Sequence, residues 1–220
     1  MALKFLADHG SSKSLAWRLR RKRFEYFRKM LQQLDGPIKI LDVGGTDHFW
    51  LRSGLLDGGE RVSVTLLNVA FANDQSPELE HVVGTACEMP FPDKSFDVVY
   101  SNSVIEHVGD RAQQRRMAEE IQRVGKSYFV QTPNFWFPIE PHFLFPGYQY
   151  LPLPIRTKLL QNFKLGWMQR EPDLAKARDT ADSVKLLKRK EFVSLFPGST
   201  LYDERILGLS KSFIVHKGLG

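Results

Sequence analysis

Two apolar periodicities divide the chain, and the change between them marks its first boundary. From Ser14 to Leu34, the residues Leu15, Leu19, Tyr26, Phe27, Met30 and Leu34 recur at the spacing of one helical face, with Arg23 intruding among them. Asp35-Gly36-Pro37 ends that pattern, because glycine suits a left-handed cap and proline cannot continue a helix. Beyond it, short apolar runs alternate with helical spacing. Strands are predicted at Ile38–Val43, Val62–Val69, His81–Val83, Phe96–Ser101 and Ser127–Thr132, and helices near Asp47–Leu56 and Arg111–Val124. Such alternation predicts an α/β domain whose mostly parallel sheet is covered on both faces.

The alternation breaks at Pro133–Pro154, a stretch dense in proline and in aromatics such as Phe135, Trp136, Phe143 and Tyr148. Helical spacing returns at Ile155–Phe163, through Glu171–Leu187, and at Lys190–Leu195. Thr200–Leu207 and Lys211–His216, joined by Gly208-Leu209-Ser210, read as two strands with a tight connection. The organisation expected is one domain over residues 1–220, with a basic helix in 1–36 and an insert at 133–198 acting as a stiff, partly apolar lid over a substrate.

Composition narrows the class. Hydrophobic residues at 42% and charged residues at 25% suit a globular protein, and no apolar run approaches the roughly 18 residues of a membrane span. The apolar core of the first ten residues is too short for a secretory signal, so a cytoplasmic location is expected. A single cysteine, Cys87, excludes an intrachain disulfide and a cysteine-built zinc site. The net charge of +6 is local: residues 11–30 carry eight Lys/Arg against Glu25, leaving the rest slightly acidic. That argues against a protein gripping nucleic acid over its whole face. It favours an anionic substrate, or peripheral membrane contact through residues 14–34.

The chemistry-bearing residues lie between Ile40 and Val108. Strand one ends in Asp42 and runs into Gly44-Gly45-Thr46-Asp47, and the next apolar run ends at Asn68. Gly84-Thr85-Ala86 follows the third, and Met89-Pro-Phe-Pro-Asp-Lys-Ser-Phe-Asp97 leads through a fourth strand into Ser101-Asn102-Ser103-Val104-Ile105-Glu106-His107. This ordered set resembles the class I, Rossmann-like S-adenosylmethionine-dependent methyltransferases, specifically the type 11-like branch with a Pro-Phe-Pro-Asp-x-Ser-Phe-Asp signature. The resemblance implies a doubly wound seven-stranded sheet whose antiparallel last strand slips between strands five and six. It implies S-adenosylmethionine as cofactor, contacted by Asp42, Gly44, Gly45, Thr46, Asn68, Thr85, Ala86, Ser101, Asn102 and Ser103.

Three positions depart from the family pattern. The glycine turn is shortened to Gly-Gly-Thr, Asn68 stands where the family has an acidic ribose ligand, and Thr85 stands where it often has Asp. Replacing two charge-assisted hydrogen bonds by neutral ones weakens binding by about 1 kcal/mol each. Nor is the turn Gly-x-Gly-x-x-Gly, which counts against a dinucleotide oxidoreductase.

Methyl transfer to a hydroxyl needs an aligned nucleophile and a group that removes its proton. His107 and His142 are the candidate catalytic bases, because imidazole titrates near neutral pH. Glu106, Asn134, Trp136 and Glu140 are the expected acceptor contacts. Glu140, His142 and His107 make too small a set to claim a metal, so none is expected. The function expected is methylation of a small-molecule or lipid-linked acceptor at oxygen. Two rivals are a binding module that kept the fold without catalysis, and a nucleic-acid methyltransferase using the basic helix. The chain lacks the Asn/Asp-Pro-Pro-aromatic tetrapeptide of amino-group base methylation.

Overall fold

Strand parity decides which residues meet on each side of the sheet. In the computed structural model, which describes residues 15–57, 61–72 and 75–219, β1 (Ile38–Val43) turns Ile38, Ile40 and Asp42 to one face and Leu41 and Val43 to the other. The first face is covered by α1 (Leu15–Leu31), which buries Phe24, Phe27, Met30 and Leu31 against Ile40, Tyr100 and Phe129. The second is covered by α3 (Arg111–Val124) and α6 (Arg189–Leu195), through Met117, Ile121, Phe192 and Phe196. The expected helix start at Ser14 and the reading of the first ten residues lie outside the described residues.

The remaining strands are β2 (Val62–Asn68), β3 (Glu80–Val83), β4 (Phe96–Asn102), β5 (Gly125–Pro133), β6 (Thr200–Ile206) and β7 (Leu209–Lys217). They form a seven-stranded sheet in the order β3-β2-β1-β4-β5-β7-β6. β1 to β5 pair in parallel, whereas β7 runs antiparallel to both β5 and β6. The doubly wound architecture and the strand inserted between β5 and β6 are as the sequence implied. Among the described residues, no helix is long and apolar enough to cross a membrane.

Besides α1, which ends three residues before its pattern does, two helices are shorter than predicted. α2 (Asp47–Leu51) stops because Ser53 folds back, donating its N–H and hydroxyl to the Trp50 carbonyl. α5 (Leu174–Asp182) starts where the Asp173 side chain accepts from Lys176 N. Past its end, Lys185 N donates to the Glu106 carbonyl at 2.7 Å, so the segment is drawn onto the β4 loop instead of continuing as helix. Together α4 (Leu153–Asn162) and α5 give the insert a core of its own, built on Phe143, Tyr148, Leu160, Ala177 and Ala181. The insert is therefore a packed layer and not an open loop.

Candidate active site

The glycine turn is fixed by its own neighbours. Gly44 sits at φ +81°, and a Cβ there would lie 2.5 Å from Val104. A Cβ on Gly45 would fall 1.8 Å from Asp42 Oδ2. Glycine at both positions is thus required by packing. Asp42 is buried and accepts from Trp50 Nε1 at 2.6 Å. Burial pushes its pKa up to about 7, against the pull of the Trp50 hydrogen bond.

Asn68, at the end of β2, donates through Nδ2 to the Gly45 carbonyl at 2.9 Å, so this neutral residue braces the turn. Thr85 Oγ1 accepts from Cys87 N, ordering the Gly84-Thr85-Ala86 loop, and Ser101 is buried with its hydroxyl on the Val43 carbonyl. Thr46 precedes α2 without capping it through its side chain. These residues gather at the carboxyl ends of β1, β2 and β4, with the β3 loop beside them, the end of an open α/β sheet where ligands bind.

A second cluster joins the β4 loop to the insert. His107 Nε2 and His142 Nε2 are 3.0 Å apart, with the rings nearly perpendicular. On its other side, His142 Nδ1 meets Glu140 Oε1 at 2.6 Å. Glu140 is itself buried, and its second oxygen accepts from the backbone N–H groups of His142 and Phe143. Burial alone would lower the His142 pKa, but the hydrogen bond and charge of Glu140, with Glu106, carry it above its ordinary value. Burial of its inner edge and the neighbouring His142 push His107 down, to about 4, although part of its ring reaches solvent.

Glu106 lies beneath this pair. It is fully buried, accepts from Thr132 Oγ1 at 3.0 Å, and leaves Oε1 without a hydrogen bond. Burial raises its pKa to about 7. Among the described residues, Glu106, His107 and His142 are also where three metal-ligating side chains converge, with ligand atoms within 4.8 Å of one another.

Beside the histidines opens a cavity of about 470 Å³, within the range of small-molecule sites. Asn102, Ser103, Gln131, Asn134 and His142 line one part of it, and Arg20, Arg23 and Lys211 another. Of the four residues expected to contact an acceptor, Asn134 alone is in this lining. Glu106 is sealed below, Glu140 acts on His142 from behind, and Trp136 is 60% exposed, under the Lys188 ammonium.

Arg23, the charge intruding on the apolar face of α1, is nearly buried and grips Glu204 of β6 with Nε at 3.1 Å and Nη2 at 2.5 Å. Its remaining Nη1 donates to the Asn102 side chain. Glu204 also accepts from Ser212 at 2.5 Å. Sequence reasoning found Arg23 only as an anomaly and missed Glu204 and Lys211. The anomaly was the available signal, since a charge in an apolar stripe needs a buried partner.

Residues 60–128 match the family model of a methyltransferase domain. That segment, from the start of β2 into β5, is similar to methyltransferase domains. The chain is 38% identical over 66 residues to a probable S-adenosylmethionine-dependent methyltransferase of Mycolicibacterium smegmatis, an alignment covering 30% of this chain and 26% of that protein. It is 38% identical over 56 residues to an uncharacterised protein of Mycobacterium tuberculosis, covering 26% of this chain and 19% of the other. The chain thus spans about a fifth to a quarter of the length of the curated relatives it matches. Among solved structures, a methyltransferase from Methanosarcina mazei described as S-adenosylmethionine-dependent aligns over 86% of this chain and 94% of its own, at TM-score 0.51 and 16% identity. The PH0226 protein of Pyrococcus horikoshii aligns over 95% and 92%, at TM-score 0.54 and 17% identity. A Rhodobacter sphaeroides structure described as a putative zinc-dependent alcohol dehydrogenase reaches TM-score 0.56 at 13% identity over 89% of this chain and 88% of its own. Identities this low speak to the fold alone.

Proposed function

We propose that this protein transfers a methyl group from S-adenosylmethionine to a hydroxyl of a small-molecule or lipid-linked acceptor, with His142 as the base. The observation carrying the reading is the Glu140–His142–His107 chain at the cavity, with contacts of 2.6 Å and 3.0 Å, linked to the glycine turn through Val104, which packs on Gly44 and accepts from His107 N.

The residues present suit the cofactor in shape, although two are neutral where the family is charged. Backbone at Gly44, Gly45 and Thr46 would take its amino-acid portion. Asn68 uses Nδ2 on Gly45, which leaves its carboxamide oxygen to accept from a ribose hydroxyl. Ala86 and Thr85 would flank the adenine, with Ser103 and Asn102 nearer the reacting end. When bound, S-adenosylmethionine supplies a methyl already made electrophilic by its sulfonium.

The protein's part is to orient the acceptor and take its proton. Glu140 fixes the His142 ring, so that Nδ1 donates to the carboxylate and Nε2 is presented to the cavity mouth. An acceptor hydroxyl displacing the His107 contact would give its proton to His142 Nε2, and the Glu140 charge would stabilise the resulting imidazolium. His107, held neutral, positions this ring from the side.

Thermal unfolding of the full chain with S-adenosylhomocysteine tests the reading. Stabilisation of about 2.7 kcal/mol is expected at 100 times the dissociation constant. Absence of any shift with either S-adenosylhomocysteine or S-adenosylmethionine would favour the non-catalytic module instead.

A further inference from the structure

The cavity carries more positive charge than its walls neutralise. Arg20 and Arg23 come from α1 and Lys211 from β7, and the acid that faces them is Glu204. Both Glu204 oxygens are already taken, one by Arg23 Nε and the other by Arg23 Nη2 and Ser212. The Arg23 guanidinium is therefore satisfied, and two cations are left over. Neither the Arg20 guanidinium nor the Lys211 ammonium has a carboxylate within ion-pair reach among the described residues. Burial and the two arginines hold Lys211 down to about 8, with Glu204 opposing, and burial with Arg23 lowers Arg20. A half-buried cation pair kept unpaired is unfavourable in the empty protein, and an anion entering the cavity relieves it.

We propose that the cavity recognises acceptors bearing an anionic group, carboxylate or phosphate, held by Arg20 and Lys211 beside the Arg23–Glu204 pair. This rests on the cavity being the acceptor site. The neighbouring lining suits such a molecule: Asn102, Gln131 and Asn134 offer neutral hydrogen bonds, and Phe137, Ile139 and Trp167 offer apolar surface. The anionic group would anchor the acceptor and leave its hydroxyl to His142 in the other part of the lining.

Calorimetric titration of the full chain at low salt tests this with three probes of similar shape: 4-hydroxybenzoate, 4-hydroxyphenyl phosphate and the neutral 4-hydroxybenzamide. At least one anion should bind tenfold or more tightly than the amide. Lys211→Met and Arg20→Met should each remove most of that preference, and Lys211→Arg should keep it. Preference for the benzoate alone identifies a carboxylate acceptor, and for the phosphate alone a phosphorylated one. Anions binding no better than the amide would overturn the proposal. So would loss of S-adenosylhomocysteine affinity in Lys211→Met with the anion preference intact, which would assign the cations to the cofactor's own carboxylate. Because the probes are titrated without cofactor, failure of S-adenosylhomocysteine to bind wild-type protein would count against methyl transfer and not against anion recognition.

Discussion

His107 and His142 share one hydrogen bond between their Nε2 atoms at 3.0 Å, so one ring must donate while the other accepts. Glu140 breaks the symmetry by holding His142 Nδ1 at 2.6 Å. The two histidines are therefore unequal, and their variants should differ.

His142→Ala should lower turnover by a factor of about 10² or more, the usual contribution of a positioned base, while S-adenosylhomocysteine affinity stays unchanged. His107→Ala should lose less, about tenfold, because it removes a neighbour and not the base. Equal losses would move the proton acceptor to the pair as a unit.

Glu140→Gln carries a pH signature. His142 must be neutral to accept a proton, so activity rises with pH through its pKa, which lies above the ordinary histidine value chiefly because Glu140 outweighs the effect of burial. Removing that charge lowers the pKa, and the acidic limb of kcat should move to lower pH. A limb that stays in place would show that another group controls it.

Asp42 should make the fold pH-sensitive in a defined direction. Its folded pKa, raised by burial to about 7, exceeds the unfolded value, so the folded state retains a proton that the unfolded chain releases. Stability contributed by this site is therefore present below about pH 4 and lost as pH rises to about 7. Asp42→Asn should stabilise the protein in urea unfolding at pH 8, on the order of 2 kcal/mol, and by much less at pH 5. An equal gain at both pH values would contradict a charge-based origin.

The Arg23–Glu204 pair predicts strong coupling. Arg23→Met alone strands a buried carboxylate and should destabilise by about 3–5 kcal/mol. Adding Glu204→Leu should recover most of that loss, since two apolar groups replace two paired charges. A double variant as unstable as the sum of the single ones would mean that the two residues act independently.

What was legible from sequence follows the same division. The β1 and α3 limits, Ile38–Val43 and Arg111–Val124, coincide with their patterns because local periodicity and local caps decide them, the latter through the Asp110 and Gln113 capping box. The glycine turn and the β4 loop were legible because each is contiguous. The cavity was not. Arg20, Gln131, His142 and Lys211 lie on four separate elements, and their meeting depends on strand order and parity that no short window records. Trp136 and Glu106 lie off the cavity, one exposed and the other sealed underneath.

The bond from Arg23 to Glu204 spans 181 positions of the chain. During synthesis the glycine turn and the β4 loop emerge first, and the counter-charge for Arg23 follows only 181 residues after Arg23 itself, with the Lys211 wall behind it. A nascent chain can thus form the glycine-turn end of the sheet well before its cavity has a complete wall. The cavity wall is complete only when the β6–β7 hairpin docks.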